Sequence, residues 1–174
     1  MMKYFNAFAS TTAKLTLALA ISLGMASCSK DDDMKEDPKQ SMTYNYAFSD
    51  AYSGSHANNF SAKMEVEEID DNSSKITVTL MNTMDGEMYM VHAHDAADPA
   101  NTPNGTPYNE TPNSNVFVQM GTGNGGTITL SQTANMSYED ITANYEAFFV
   151  VHDPTQSIST TDISTYLVVG AFAR

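Results

Sequence analysis

The chain has 174 residues, with 21 acidic against eight basic side chains and a formal net charge of −13. Such a charge repels nucleic acid, anionic membrane surfaces and small anions, and no basic patch is left for a phosphate-binding role. A single cysteine excludes an internal disulfide, so any folded domain must hold by its hydrophobic core.

In chain order, the first element is a leader over residues 1–27. Lys3 and Lys14 give it a positive start, and the apolar stretch 15–25 is too short to span a bilayer. It ends in small residues just before Cys28. The run Met25-Ala26-Ser27-Cys28 resembles a bacterial lipobox, with methionine in place of the usual leucine. The resemblance implies that Cys28 is diacylated, with palmitate among its acyl chains, and is the first residue of the mature protein. An ordinary cleavage site beside a chance cysteine is the alternative. Ser29-Lys30-Asp31-Asp32-Asp33 resembles the acidic export signal of Bacteroidota-type surface lipoproteins. The implied location is the outer membrane, lipid-anchored and exposed at the cell surface, and the implied membrane partner is reached only through the lipid on Cys28. Residues 28–41 lack aromatics and read as an acidic flexible tether. With 21 acidic and six basic residues after position 27, the mature chain carries about −15.

Residues 42–174 form the expected domain, about 130 residues, enough to bury roughly two thirds of the unfolded surface. No helical periodicity exceeds two turns. Short runs of β-branched and aromatic residues recur between Gly, Asn, Asp and Pro, which predicts an all-β sandwich or barrel. Strands are predicted at 42–49, 59–69, 75–82, 87–94, 115–120, 126–131, 145–152 and 166–173. Asp70-Asp71-Asn72-Ser73 is expected to close a hairpin between the second and third. Thr83-Met84-Asp85-Gly86 is expected to close another between the third and fourth, with glycine supplying positive φ. A long loop follows over 95–114, rich in proline. The glycine-rich run 121–126 lies between predicted strands, so it reads as a turn and not as a nucleotide cradle. Ser137 is expected to cap one helical turn, and 157–165 to loop before the last strand.

The chemistry concentrates in Met88-Tyr89-Met90-Val91-His92-Ala93-His94-Asp95 and in Val150-Val151-His152-Asp153. Three of the four histidines lie there. Alternation on a strand puts His92 and His94 on one face, about 7 Å apart along the backbone. Met88 and Met90 share that face, while Tyr89, Val91 and Ala93 point to the core. Three imidazoles suit a borderline or soft transition metal, and a thioether from Met90 suits Cu(I), although adaptable packing is the commoner use of methionine. Asp95 and Asp153 follow proposed ligands. They read as imidazole-orienting acceptors or, since alternation turns them away, as solvated turn carboxylates. His56 falls in the first strand connection, remote from the other three.

A strand ending His-x-His, a long loop with Gly105-Thr106-Pro107-Tyr108-Asn109, a strand ending Val-Val-His, and a last strand around Gly170 together resemble the copper/zinc superoxide dismutase family. The resemblance spans roughly residues 42–174. It implies a Greek-key β-sandwich or flattened barrel of about eight antiparallel strands, with His92, His94 and His152 as copper ligands. Tyr108 stands near the place of the family's bridging histidine, where it either covers the metal or simply packs in the loop. The family's two-metal site uses six histidines and this chain has four, so zinc is not expected as a second metal. The arginine beside the copper would fall near Thr165 or Tyr166 and is absent. These departures imply a degenerate domain that binds one copper ion and is not an efficient dismutase. A metal-free structural or adhesive sandwich resembling the chordin domain, without its Gly-Glu-Ile-Arg-Gly motif, is the competing reading. A residual copper-only dismutase is the third. No cysteine nucleophile, Gly-x-Ser-x-Gly elbow, His-Glu-x-x-His helix or calcium loop is present, and no protein partner is implied.

Overall fold

The computed structural model describes residues 38–97 and 108–173. The leader, Cys28, the acidic run after it, most of the tether and residues 98–107 of the long loop lie outside the described residues. Within them the chain is nearly all β: nine strands in two antiparallel sheets. They are β1 (Ser41–Tyr46), β2 (Ser61–Asp70), β3 (Ser73–Met81), β4 (Met88–Ala96), β5 (Tyr108–Pro112), β6 (Val118–Thr122), β7 (Ile128–Ala134), β8 (Glu146–His152) and β9 (Tyr166–Ala173).

The first sheet runs β1-β2-β3-β7 and the second β5-β4-β8-β9, with β6 also paired to β4. Sequence alternation explains the faces. Met64 and Val66 of β2 and Ile76, Val78 and Leu80 of β3 are buried against Tyr89, Val91 and Ala93 of β4 and Phe149 and Val151 of β8. The core face expected for β4 is therefore the observed one. The hairpin at Asp70 is also present, its turn tied by the Asp70 carboxylate accepting from Asn72 N and Ser73 Oγ, both at 2.9 Å. The Ser137 hydroxyl accepts from Asp140 N at 3.0 Å and opens a short helical turn, Asp140–Asn144.

Three expectations are corrected. The segment 83–86 does not close a hairpin, because β3 pairs with β2 and β7 whereas β4 pairs with β5, β6 and β8. Its residues cross between sheets. Gly86 takes the expected positive φ of 78°. Gly123 packs against the crossing so closely that a Cβ there would meet the Met84 carbonyl at 2.1 Å. Apolar alternation is the same for a hairpin and a sheet crossing, so the pattern could not separate them. The predicted loop contains β5, whose Tyr-Asn-Glu-Thr-Pro sequence carries little strand propensity and pairs only with the end of β4. The sheet also begins one residue early, at Ser41, inside the expected tether.

The edge of β4 is shared. β6 pairs along Met88–His92, and β5 takes over at His94 and Ala96. In the gap Ala93 N donates to Phe117 O and Asn113 N to Ala93 O, both at 2.8 Å. On the other side, Gly170 of β9 pairs with Phe149 of β8, and the Tyr46 ring stacks on Phe149 in the space above the glycine, centroids 4.8 Å apart. A Cβ on Gly170 would come within 2.4 Å of that ring. Gly170→Ala should therefore cost about 1–3 kcal/mol by overpacking, read as a lower urea midpoint with unchanged slope.

Candidate metal centre

The outer face of the second sheet carries its own buried cluster, Tyr108, Val150 and Tyr166, with Phe148 and Val169 packed against it. The three histidines lie beside it. Antiparallel pairing sets His92 opposite Val150 and His94 opposite Phe148, and His152 ends β8 next to them. None of the three is more than 7 % exposed. Centroids of His92 and His94 are 5.6 Å apart, and those of His92 and His152 are 5.2 Å apart. The strand pairing thus brings all three predicted ligands together.

Their hydrogen bonding is incomplete in a patterned way. His94 Nδ1 lies 2.8 Å from the carbonyl oxygen of Asn109 in β5. A carbonyl only accepts, so this nitrogen carries the proton and Nε2 is left with a lone pair. That Nε2 has no hydrogen-bond partner, and neither does Nδ1 of His92 or of His152. Each ring therefore offers one buried nitrogen with nothing bound to it. Leaving such a group unmade ordinarily costs about 1–3 kcal/mol.

Electrostatics keeps the rings neutral. Burial pushes the His92 pKa down to about 3, helped by the neighbouring His152 and His94 rings. Burial and His94 push His152 down to about 4. Burial also lowers His94, against the opposing pull of the Asn109 carbonyl and Asp95. Neutral imidazole is the form that ligates metals.

The spacing fits a shared ion. A metal about 2.0–2.1 Å from a ring nitrogen is about 3.2 Å from that ring's centre, so imidazoles sharing it at tetrahedral to trigonal angles have centres about 5.2–5.5 Å apart. The His92–His152 separation falls in that range, and the His92–His94 separation of 5.6 Å lies just beyond it. The donor atoms themselves are not drawn to one point. Among the described residues no three His, Cys, Asp or Glu side chains stand in a closed metal-holding set. Ring spacing and three orphaned nitrogens favour an ion, and ring rotation would have to complete the site.

Two tyrosines close it on one side. Tyr108, fully buried, packs on His94 with centroids 5.0 Å apart, so it covers a histidine as well as packing in its loop. Tyr166 stands perpendicular to His152 with ring centroids 4.5 Å apart. The Tyr108 hydroxyl interacts with that of Tyr166, which donates to the Ser159 carbonyl. The sequence marks Tyr166 only as a place without arginine; its packing on His152 depends on the register of β8 and β9, which alternation does not supply.

Neither acidic neighbour hydrogen-bonds to the triad, and Asp153 is buried where a solvated turn carboxylate is expected. Asp153 is 2 % exposed and accepts from Thr155 N, Thr155 Oγ1 and Gln156 Nε2, each at 2.8 Å, and from the Tyr52 hydroxyl. Asp95, half-buried, accepts from Asn113 Nδ2 at 2.8 Å and from the Tyr145 hydroxyl. His56 lies across the sheet from His92, with Nε2 2.8 Å from the Tyr89 hydroxyl and Nδ1 3.0 Å from the Ala57 carbonyl. Both its nitrogens are used, which makes it a core histidine. Met90 is half-buried beside the triad, with Met120 of β6 as its direct pairing partner.

Comparison with known proteins returns no match: no family model, no curated protein and no solved structure is significantly similar to this chain.

Proposed function

We propose that this protein is a lipoprotein of the outer membrane, anchored through Cys28, whose Greek-key, superoxide dismutase-like domain binds a single copper ion through His92, His94 and His152. The observation that carries the proposal is the set of three neutral, buried imidazoles, each with one unpartnered nitrogen, at the spacing of rings that share an ion. Bound copper would supply a stored ion or slow one-electron chemistry. The chain's own residues orient and enclose it. Asn109 fixes the tautomer of His94, while Tyr108 and Tyr166 keep bulk water off His94 and His152. Met90 is placed to add a soft ligand.

Fast dismutation is a poor fit. A charge near −15 works against an incoming anion, and Tyr166 brings no positive charge to its position beside His152. Storage or delivery of copper is the better assignment.

The test is titration of the purified protein with Cu(II) and with Cu(I), beside His92→Ala/His152→Ala. The wild type should bind one equivalent and the variant should lose at least ten-fold in affinity. Equal binding by the two proteins sinks the copper reading and leaves a metal-free structural or adhesive sandwich. A dismutase assay on the copper-loaded protein then separates storage from catalysis.

A further inference from the structure

The outer face of the second sheet also carries a row of thioethers next to the histidines. Met88 and Met90 share that face of β4, and Met120 of β6 is the register partner of Met90. Opposed residues of an antiparallel pair have Cβ atoms about 4.5–5.5 Å apart and diagonal ones about 7–8 Å, within reach of long flexible side chains. On the other flank, Val91 pairs with Val151, so His152 stands beside Met90. A cavity of about 220 Å³ is lined by Met88, Met90, Met120, His152 and Asp153 among others. A second opening joins Met90 and Met120 to His92. Met88 and Met120 are 58 % and 57 % exposed, Met90 is half-buried and His152 is buried. The donors thus grade from surface to interior.

We propose that Met88, Met90 and Met120 form a capture site for a soft monovalent cation, Cu(I) or Ag(I), contiguous with the histidine triad. Thioether sulfur selects such ions over Zn(II), Cu(II), Mg(II) and Ca(II). The adjoining groups favour a cation over an apolar partner. Nδ1 of His92 and of His152 have no partner, and His152 lines the same cavity while His92 lines the second opening. An apolar side chain packed on the methionines would leave those nitrogens unmet, whereas a cation held by the thioethers stands next to imidazoles able to turn a lone pair towards it. The link to the triad rests on the copper reading above. The thioether site does not.

The experiment is a titration of the full chain with Ag(I), followed through the methionine ε-methyl resonances, with a parallel Zn(II) titration of the histidines. Ag(I) is redox-inert, so no reductant is involved. In the wild type the Met88, Met90 and Met120 methyls should move together with the first equivalent. Met88→Leu/Met120→Leu changes two exposed side chains and should keep the fold. It should weaken Ag(I) binding at least ten-fold and abolish the Met90 methyl shift, with Zn(II) binding intact. His92→Asn/His152→Asn should lose Zn(II) and keep the methionine shifts. Methyls unmoved by Ag(I), or equal Ag(I) affinity in wild type and Met88→Leu/Met120→Leu, overturns the thioether site even if Zn(II) binds. Methyls that move while Zn(II) fails to bind leave the thioether site standing, and the copper titration above then decides the histidine reading on its own.

Discussion

Between pH 7 and pH 5 the metal-free protein should lose up to about 2 kcal/mol of folding stability for each of His92 and His152, with a loss of the same sign from His94. The sign follows from proton counting. In the unfolded chain each histidine titrates near its ordinary value of about 6.5, whereas in the folded chain burial first, and the neighbouring rings second, hold His92 to about 3 and His152 to about 4. Below pH 6.5 the unfolded state therefore binds protons that the folded state refuses. Stability is full above that pH and falls as acid is added, until the folded values are passed. The openings beside His92 and His152 admit some screening, so the loss should fall short of the full sum for those two rings. Urea melts at pH 7, 6 and 5 measure it. A variant with all three histidines changed to Gln should have a flatter profile, since every other titrating group is common to both proteins. Parallel profiles would mean that the rings are protonated and solvated in the folded state. Zn(II) or Cu(II) should oppose the acid loss, adding about 4 kcal/mol at a thousand-fold excess over Kd and less as the pH falls.

Sequence made the centre legible because alternation is unambiguous on β4. His92 and His94 on one face and Tyr89, Val91 and Ala93 on the other follow from a period of two, and the structure has both faces as expected. What alternation could not give is register between strands distant in sequence. That register sets His152 beside β4 and Met120 opposite Met90, and neither is encoded within either strand alone. The fate of Asp153 was hidden for a related reason. Its partner Tyr52 is 101 residues away, so a carboxylate after a strand end looked like an ordinary turn residue. The crossing at 83–86 was misread because its turn residues suit a hairpin equally well. Which sheet a strand joins is decided by the core, where Gly123 must fit under the Met84 carbonyl.

Asp153→Ala should cost about 2–4 kcal/mol and should weaken metal binding about 10-fold, although Asp153 touches none of the three rings. Its carboxylate gathers Tyr52 from the β1–β2 connection and Thr155 and Gln156 from the segment after β8. Removing it strips the acceptor from four donor groups in a place where water is scarce. The Tyr52 hydroxyl is also the acceptor for His56 N at 2.7 Å, so the loss spreads into the first connection. The same segment runs on to Ser159, whose carbonyl holds the Tyr166 hydroxyl over His152. Loosening it uncovers the site. The pH dependence identifies the charge as the agent. Burial by itself would raise the Asp153 pKa, but the bonds from Tyr52, Gln156 and Thr155 outweigh it and hold the group below its usual value. Its contribution is therefore complete above about pH 4 and disappears as the pH falls through the folded value, a window below that of the histidines. The stability difference between wild type and Asp153→Ala should be largest at pH 7 and shrink towards pH 3. A difference independent of pH would assign the effect to side-chain packing and leave the carboxylate no part in holding the site closed.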